Sequence, residues 1–185
     1  YGDPDQPLIL ETDEAFNTFE KIKISDLLVL NIDSDHLDYF KNLDNYKDAF
    51  YKVMKNVTDN LVINNDDLNI KSMKELKNPV SYGKDISADF KVQSPGTFIY
   101  ENNKYEIKSD IIGDHFKSNM LGAIILAFLN GIDIKDSLNA IESFAGVKRR
   151  IELIGISKGV LIYDDYGHHP TAVSYTHLRA HETLV

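Results

Sequence analysis

Short apolar runs and one long helical stripe alternate over the first half of the chain. The run LILE at 8–11 reads as a short buried strand after a proline-containing loop. LLVLNID at 27–33 is a continuous apolar run ending in an acid, the pattern of a strand covered on both faces. Leu43, Tyr46, Phe50, Val53, Met54 and Val57 recur every three to four residues, which puts them on one face of an amphipathic helix. Residues 60–64 read as another strand, 67–76 as a short helix and 80–83 as a brief strand stopped by Gly83. This alternation predicts βαβ units and a parallel sheet.

After residue 88 the rhythm changes. Extended runs at 90–93, 97–100 and 104–108 are broken by SPG at 94–96 and ENN at 101–103, which predicts antiparallel hairpins. Residues 114–130 form a helix with a nearly unbroken apolar stretch at 120–129, stopped by Gly131. A membrane span needs about 20 such residues, so this helix is expected to be buried in protein. A second helix is predicted over 135–144, then strands at 150–156 and 160–164 around SKG. The fold class is therefore α/β.

Composition narrows the partners. A net charge of -9 argues against nucleic acid, because phosphate neutralisation needs clustered cations and the longest basic cluster is Lys148, Arg149 and Arg150. No cysteine is present, so disulfides and thiolate metal sites are excluded and a reducing cytoplasm is the expected compartment. The opening YGDPDQP lacks the basic start and apolar stretch of a signal peptide and has no initiator Met, so the chain is expected to begin inside a longer protein.

Three constellations can carry chemistry. ETDE at 11–14 and DSDHLD at 33–38 each follow a predicted strand, and ligands of parallel sheets gather at the carboxyl ends of strands. Carboxylates with an imidazole suit Mg2+ or Mn2+ when a phosphate adds oxygens, while the plainer reading is that these acids cap helices and turns. GDHFKSN at 113–119 opens a helix, with His115 and Asn119 four apart on one side, an arrangement suited to a nucleotide; Asp114 or His115 capping the helix is the alternative. Arg149 and Arg150 precede Asp165, His168 and His169 across a strand-loop-strand, able to hold phosphates and ribose, or else forming a surface ion pair beside turn histidines.

In order, these pieces resemble the Mur ligase family. ETDE is similar to its E-A-D-E segment, NIDSDHLD at 31–38 to N-I-x-x-D-H-x-D, and GDHFKSN to G-x-H-N-x-x-N. FAGVKRR at 144–150 and DDYGHHPT at 164–171 are similar to F-x-G-x-x-R-R and D-D-Y-[AG]-H-H-P-T, so the resemblance covers about 8–171. It implies that residues 1–147 are the later portion of the central ATP-binding domain, part of a mostly parallel sheet with helices on its faces. Residues 148–173 would then supply the first strands of a Rossmann-like C-terminal domain. It implies a ligase that forms an acyl phosphate with ATP and Mg2+, using UDP-N-acetylmuramate and L-alanine as small-molecule partners in peptidoglycan precursor synthesis. Glu11 and His36 would be magnesium ligands, His115 and Asn119 would lie around the adenine, Arg150 and Asp165 would engage the nucleotide from the domain boundary, and His168 would sit near the phosphates.

The departures matter too. Phe116 stands where the family has an Asn, removing one polar contact near the adenine. No G-x-x-G-K-[ST] phosphate loop occurs, so these residues alone are expected to be inactive. SYTHLRAHETLV at 174–185 has no family counterpart and reads as a non-native tail, which makes His177 and His181 poor ligand candidates. A murein-peptide-recycling branch shares the D-D-[FY]-x-H-H-P-T-A turn, and Ala172 leans that way, whereas residues 31–39 lean toward the alanine-adding branch. A non-catalytic nucleotide- or metal-binding remnant is the reading from a different class.

Overall fold

The computed structural model describes residues 7–12, 14–73 and 76–167. The chain divides into two compact units, the first ending at Lys91 and the second beginning at Val92.

In the first unit β1 (Leu27–Val29), β2 (Leu61–Asn64) and β3 (Val80–Gly83) are parallel neighbours, with Leu28 opposite Val62 and Ile63 opposite Ser81. Leu61, Val62 and Ile63 are all buried, the reason this strand shows no alternation. Between β1 and β2 lie α1 (Leu37–Phe40) and α2 (Leu43–Lys55). The side chain of Asn42 accepts a hydrogen bond from Asn45 N and caps α2, while Lys52 and Lys55 favour its negative C-terminal end. Its predicted stripe turns inward: Tyr46, Val53 and Met54 are buried, and Leu43, Phe50 and Val57 pack against the same core with Phe19, Ile32 and Phe40. The short helix α3 (Leu68–Lys71) follows β2 and is capped by Asp67. Strand β4 (Phe90–Ser94) starts beside β3, pairing Tyr82 with Phe90, and straddles the division between the units.

In the second unit β5 (Thr97–Tyr100) and β6 (Asn103–Glu106) form an antiparallel hairpin. Its two loop residues, Glu101 and Asn102, both have positive φ, the turn whose twist matches paired strands. The main sheet therefore runs in sequential order from β1 to β6, the expected mostly parallel α/β arrangement with an antiparallel end. Helix α4 (Asp114–Leu129) buries Met120, Leu121, Ile124 and Ile125, and its Phe128 meets Tyr100 of β5 edge-on at 5.4 Å. It packs against α5 (Ile134–Glu142), which Asp133 caps. No described helix is long and apolar enough to cross a membrane. Finally β7 (Glu152–Ser157) and β8 (Val160–Asp164) pair, among the described residues, only with each other as an antiparallel ribbon.

Several elements differ from the sequence expectation. Residues 8–11 form no strand: Leu8, Ile9 and Leu10 are exposed and pair with no strand among the described residues. The strand expected over 27–33 stops at Val29, since beyond it side chains replace the ladder: Leu30 O accepts from Asn64 Nδ2, and Ile32 N donates to Asp67 Oδ2. Helix α3 ends early at Lys71, where Ser72 Oγ donates to Asn69 O, a local bond that competes with helix extension. Helix α5 is two residues shorter at its end than expected, leaving Phe144 about half exposed.

Candidate functional site

The segment after β1 is held at the carboxyl ends of two parallel strands. Asn64 Nδ2 donates to Leu30 O at 3.0 Å and Asn69 Nδ2 to Ile32 O at 2.7 Å. Asp67 uses both oxygens, one capping α3 at Ile70 N and the other receiving Ile32 N. Three polar side chains, from the end of β2, the cap of α3 and α3 itself, therefore fix the backbone that carries Asp33, Asp35 and His36. Two of these acids also brace the turn, Asp33 Oδ1 accepting from Ser34 N and Asp35 Oδ1 from His36 N, so the capping reading holds for them in part. His36 is left-handed, with φ of 51°, at the start of α1. For a residue with a Cβ that conformation costs about 1–3 kcal/mol and persists only where surroundings impose it.

His36 Nε2 lies 3.9 Å from Glu14 Oε1 and 4.0 Å from Asp35 Oδ2. The acid from the first cluster that faces the imidazole is thus Glu14, while Glu11 is exposed. Tyr46 donates from its hydroxyl to the same Glu14 oxygen at 3.0 Å. Burial first, then the Glu14 charge and hydrogen bond, and then Asp35 and Asp33, push the Tyr46 hydroxyl well above its ordinary value of 10, so it stays a donor. Directly after Glu14 the chain turns through Phe16 and Asn17, both at φ of 56°. Thr12 Oγ1 and Asn17 Oδ1 are buried without a hydrogen-bond partner. Strained backbone and orphaned oxygens therefore gather in the stretch that carries both glutamates.

Neither Glu14 nor Tyr46 was singled out by sequence reasoning. Glu14 belongs to the ETDE motif, but spacing does not say which acid faces His36. Tyr46 reads as a stripe residue; the available signal is that a tyrosine in an apolar stripe carries a hydroxyl that needs a partner.

Whether these residues suit magnesium is a question of donors. Carboxylate oxygens from Glu14 and Asp35 with one imidazole form a small, oxygen-rich set, and among the described residues no three His, Asp or Glu groups are arranged to enclose a metal. Magnesium is commonly held by one or two carboxylates together with phosphate oxygens and water, so the set fits a metal that arrives with a nucleotide.

The second unit presents the other constellations. Gly113, at φ of 130°, is the N-cap of α4, and no side chain caps it. A Cβ at Gly113 would lie 2.8 Å from His115 Cε1, so the glycine makes room for the imidazole, which also leans on the Phe116 ring with centroids 4.3 Å apart. Lys117 Nζ donates to Ile107 O and Ser109 O, fastening the start of α4 to the end of the β5–β6 hairpin. His115 is exposed and Asn119 half-buried one turn on, at the start of the helix.

At the base of the ribbon the ion pair sits one residue earlier on each strand than the expected pair. Arg149 Nε is 3.6 Å from Asp164 Oδ2, its guanidinium stacks over Tyr166 at 4.5 Å, and Arg149 O accepts from Tyr166 N. That backbone bond puts Arg150 and Asp165 on adjoining stretches, and Asp165 Oδ1 accepts from Gly167 N. His168, His169 and the tail at 174–185 lie outside the described residues.

Residues 13–127 match the model of the Mur ligase middle domain. The chain is 37% identical to a UDP-N-acetylmuramate–L-alanine ligase of Dictyoglomus turgidum, over 91% of this chain and 39% of that protein. It is 38% identical to the enzyme of the same name from Clostridium botulinum, over 80% of this chain and 35% of that protein. In structure it is similar to UDP-N-acetylmuramate–alanine ligase from Thermotoga maritima, with a TM-score of 0.68 at 25% identity, covering 86% of this chain and 39% of that one. The chain thus spans between a third and two fifths of the length of these relatives.

Proposed function

Because this chain belongs to the Mur ligase family, we propose that it is part of a cytoplasmic, ATP-dependent ligase that joins L-alanine to UDP-N-acetylmuramate. The observation that carries the reading is the acid-and-imidazole cluster of Glu14, Asp35 and His36, held at the carboxyl end of β1 by Asn64, Asp67 and Asn69. On this reading residues 1–147 are the later portion of the middle domain and 148–173 open the C-terminal domain.

The reaction brings a substrate carboxylate against the terminal phosphate of ATP. A carboxylate oxygen bonds to phosphorus and ADP leaves; the amine of L-alanine then bonds to the acyl carbon, phosphate leaves, and the amine gives up a proton. Bound magnesium would offset the charge gathering between carboxylate and triphosphate. Glu11 and His36 are the proposed ligands, and Glu14, the acid that faces His36, is proposed to add a carboxylate oxygen. His115 and Asn119 would flank the adenine at the start of α4. Arg150 and Asp165 would engage the nucleotide, and His168 its phosphates. The Arg149–Asp164 pair supports this division of labour: Arg149 is occupied by Asp164 and Tyr166, whereas Arg150 has no ion-pair partner among the described residues.

The test is phosphate release by the full-length protein with UDP-N-acetylmuramate and either L-alanine or a murein peptide as amine donor. ATP- and L-alanine-dependent product is expected. Product only with the peptide would assign the chain to the recycling branch, and no product with either would leave a nucleotide-binding remnant.

A further inference from the structure

One oxygen of Glu14 faces two groups: His36 Nε2 at 3.9 Å and the Tyr46 hydroxyl at 3.0 Å. Tyr46 is only 3% exposed and is wedged between Phe40 and Phe50, with ring centroids 5.0 and 5.1 Å away. It stands on the buried stripe of α2, where Leu43, Phe50, Val53 and Met54 bring no hydroxyl or amide. A phenylalanine would fill nearly the same space, so packing explains the ring but not its oxygen. Glu14 lies just ahead of the left-handed pair Phe16 and Asn17, and Asn17 N donates to Glu14 O. That bond fixes the backbone of Glu14 and leaves its three side-chain torsions free. The Tyr46 hydroxyl restricts them from a rigid helix, binding Oε1 and leaving Oε2 available.

We propose that Tyr46 is a positioning residue that holds the Glu14 carboxylate beside His36, ready for the divalent cation that accompanies the nucleotide. The inference rests on the ligase reading above and adds to it a residue on α2 that touches neither substrate nor metal. Rotamers frozen before binding do not have to be frozen during it, which strengthens binding without a new contact. Partners that orient metal-binding side chains commonly change metal affinity by about 10–100-fold, and a single hydrogen bond to one carboxylate oxygen belongs at the low end.

The experiment titrates Mn2+ alone into the full-length protein and reads free Mn2+ by its paramagnetic resonance signal. Tyr46→Phe is expected to weaken binding by about 10-fold, with only a small fall in melting temperature. In a Glu14→Ala background the same substitution is expected to add little, because the acceptor of the bond it removes is gone. In turnover assays Tyr46→Phe should raise the Mg2+ concentration for half-maximal rate and preserve the rate at saturating Mg2+. Equal Mn2+ affinity in Tyr46→Phe and wild type, with His36→Ala weakened, overturns the positioning role and keeps the ligase reading. Equal losses with Glu14 and with Ala at that position also overturn it, since the effect would then come from packing. Wild-type protein that neither binds Mn2+ nor responds to Mg2+ overturns both. Should Tyr46→Phe fail to fold, Tyr46→Leu carries the same comparison.

Discussion

Strand β2 and the β7–β8 ribbon are built from similar residues and meet opposite fates. Leu61, Val62 and Ile63 are 5%, 0% and 6% exposed, whereas Ile156 and Val160 are 67% and 63% exposed. β2 lies between two parallel neighbours in a six-stranded sheet, while among the described residues each ribbon strand has only the other. Apolar, β-branched residues therefore specify extended backbone in both places, but burial depends on how many elements surround the strand.

Substitutions sharpen the contrast, and the largest effect belongs to the sheet. Ile63→Ala should cost about 2–5 kcal/mol in urea denaturation of this chain, because a cavity opens among packed neighbours. Asp67→Ala should cost about 1–2 kcal/mol, since it removes the α3 cap and the bond to Ile32 N together, and Mn2+ binding should weaken with it. Gly113→Ala should cost more than about 1 kcal/mol through its positive φ, and displacement of His115 should weaken ADP binding in a fluorescence titration. Ile156→Ala should stay within about 0.5 kcal/mol; a loss comparable to Ile63→Ala would show that the ribbon is buried in solution and would break the comparison.

Acidity offers a further probe of the same contrast between buried and exposed groups. Tyr46 has its hydroxyl raised above 10 in the folded state, so its contribution is fully present below pH 10 and is lost as the pH climbs beyond. Wild type should therefore lose stability above pH 10 more steeply than Tyr46→Phe. Asp85 runs the other way at the surface. Its hydrogen bond from Lys71, then those from Ser87, hold its carboxyl below the usual range. That contribution is present above the ordinary carboxylate value of 3.8 and fades as the pH falls below it. Because Asp85 is exposed, acid titration of Asp85→Asn should differ from wild type only slightly.

The sequence patterns that survived were those with long or specific signals. The α2 stripe, the apolar body of α4, and the hairpins around 101–102 and 158–159 are all present, because periodicity and turn chemistry act locally. The exposed stretch at 8–11 and the early end of β1 were not legible, because both depend on what lies beside them: a missing neighbour for Ile9, and the side chains of Asn64 and Asp67 for Leu30 and Ile32. The candidate site divides the same way. His36, His115 and Arg150 stand out by motif, but the pairing of Glu14 with His36 and the Tyr46 hydroxyl bond join residues 22 and 32 apart, which only the fold brings together.

The most direct test of the central claim, that the Glu14–His36 cluster at the end of β1 serves the ligation reaction, is Mg2+-dependent, L-alanine-dependent phosphate release by full-length His36→Ala beside wild type. The account predicts a fall of more than about 10-fold at subsaturating Mg2+, with folding intact by melting temperature. Wild-type turnover in the variant at every Mg2+ concentration would contradict it.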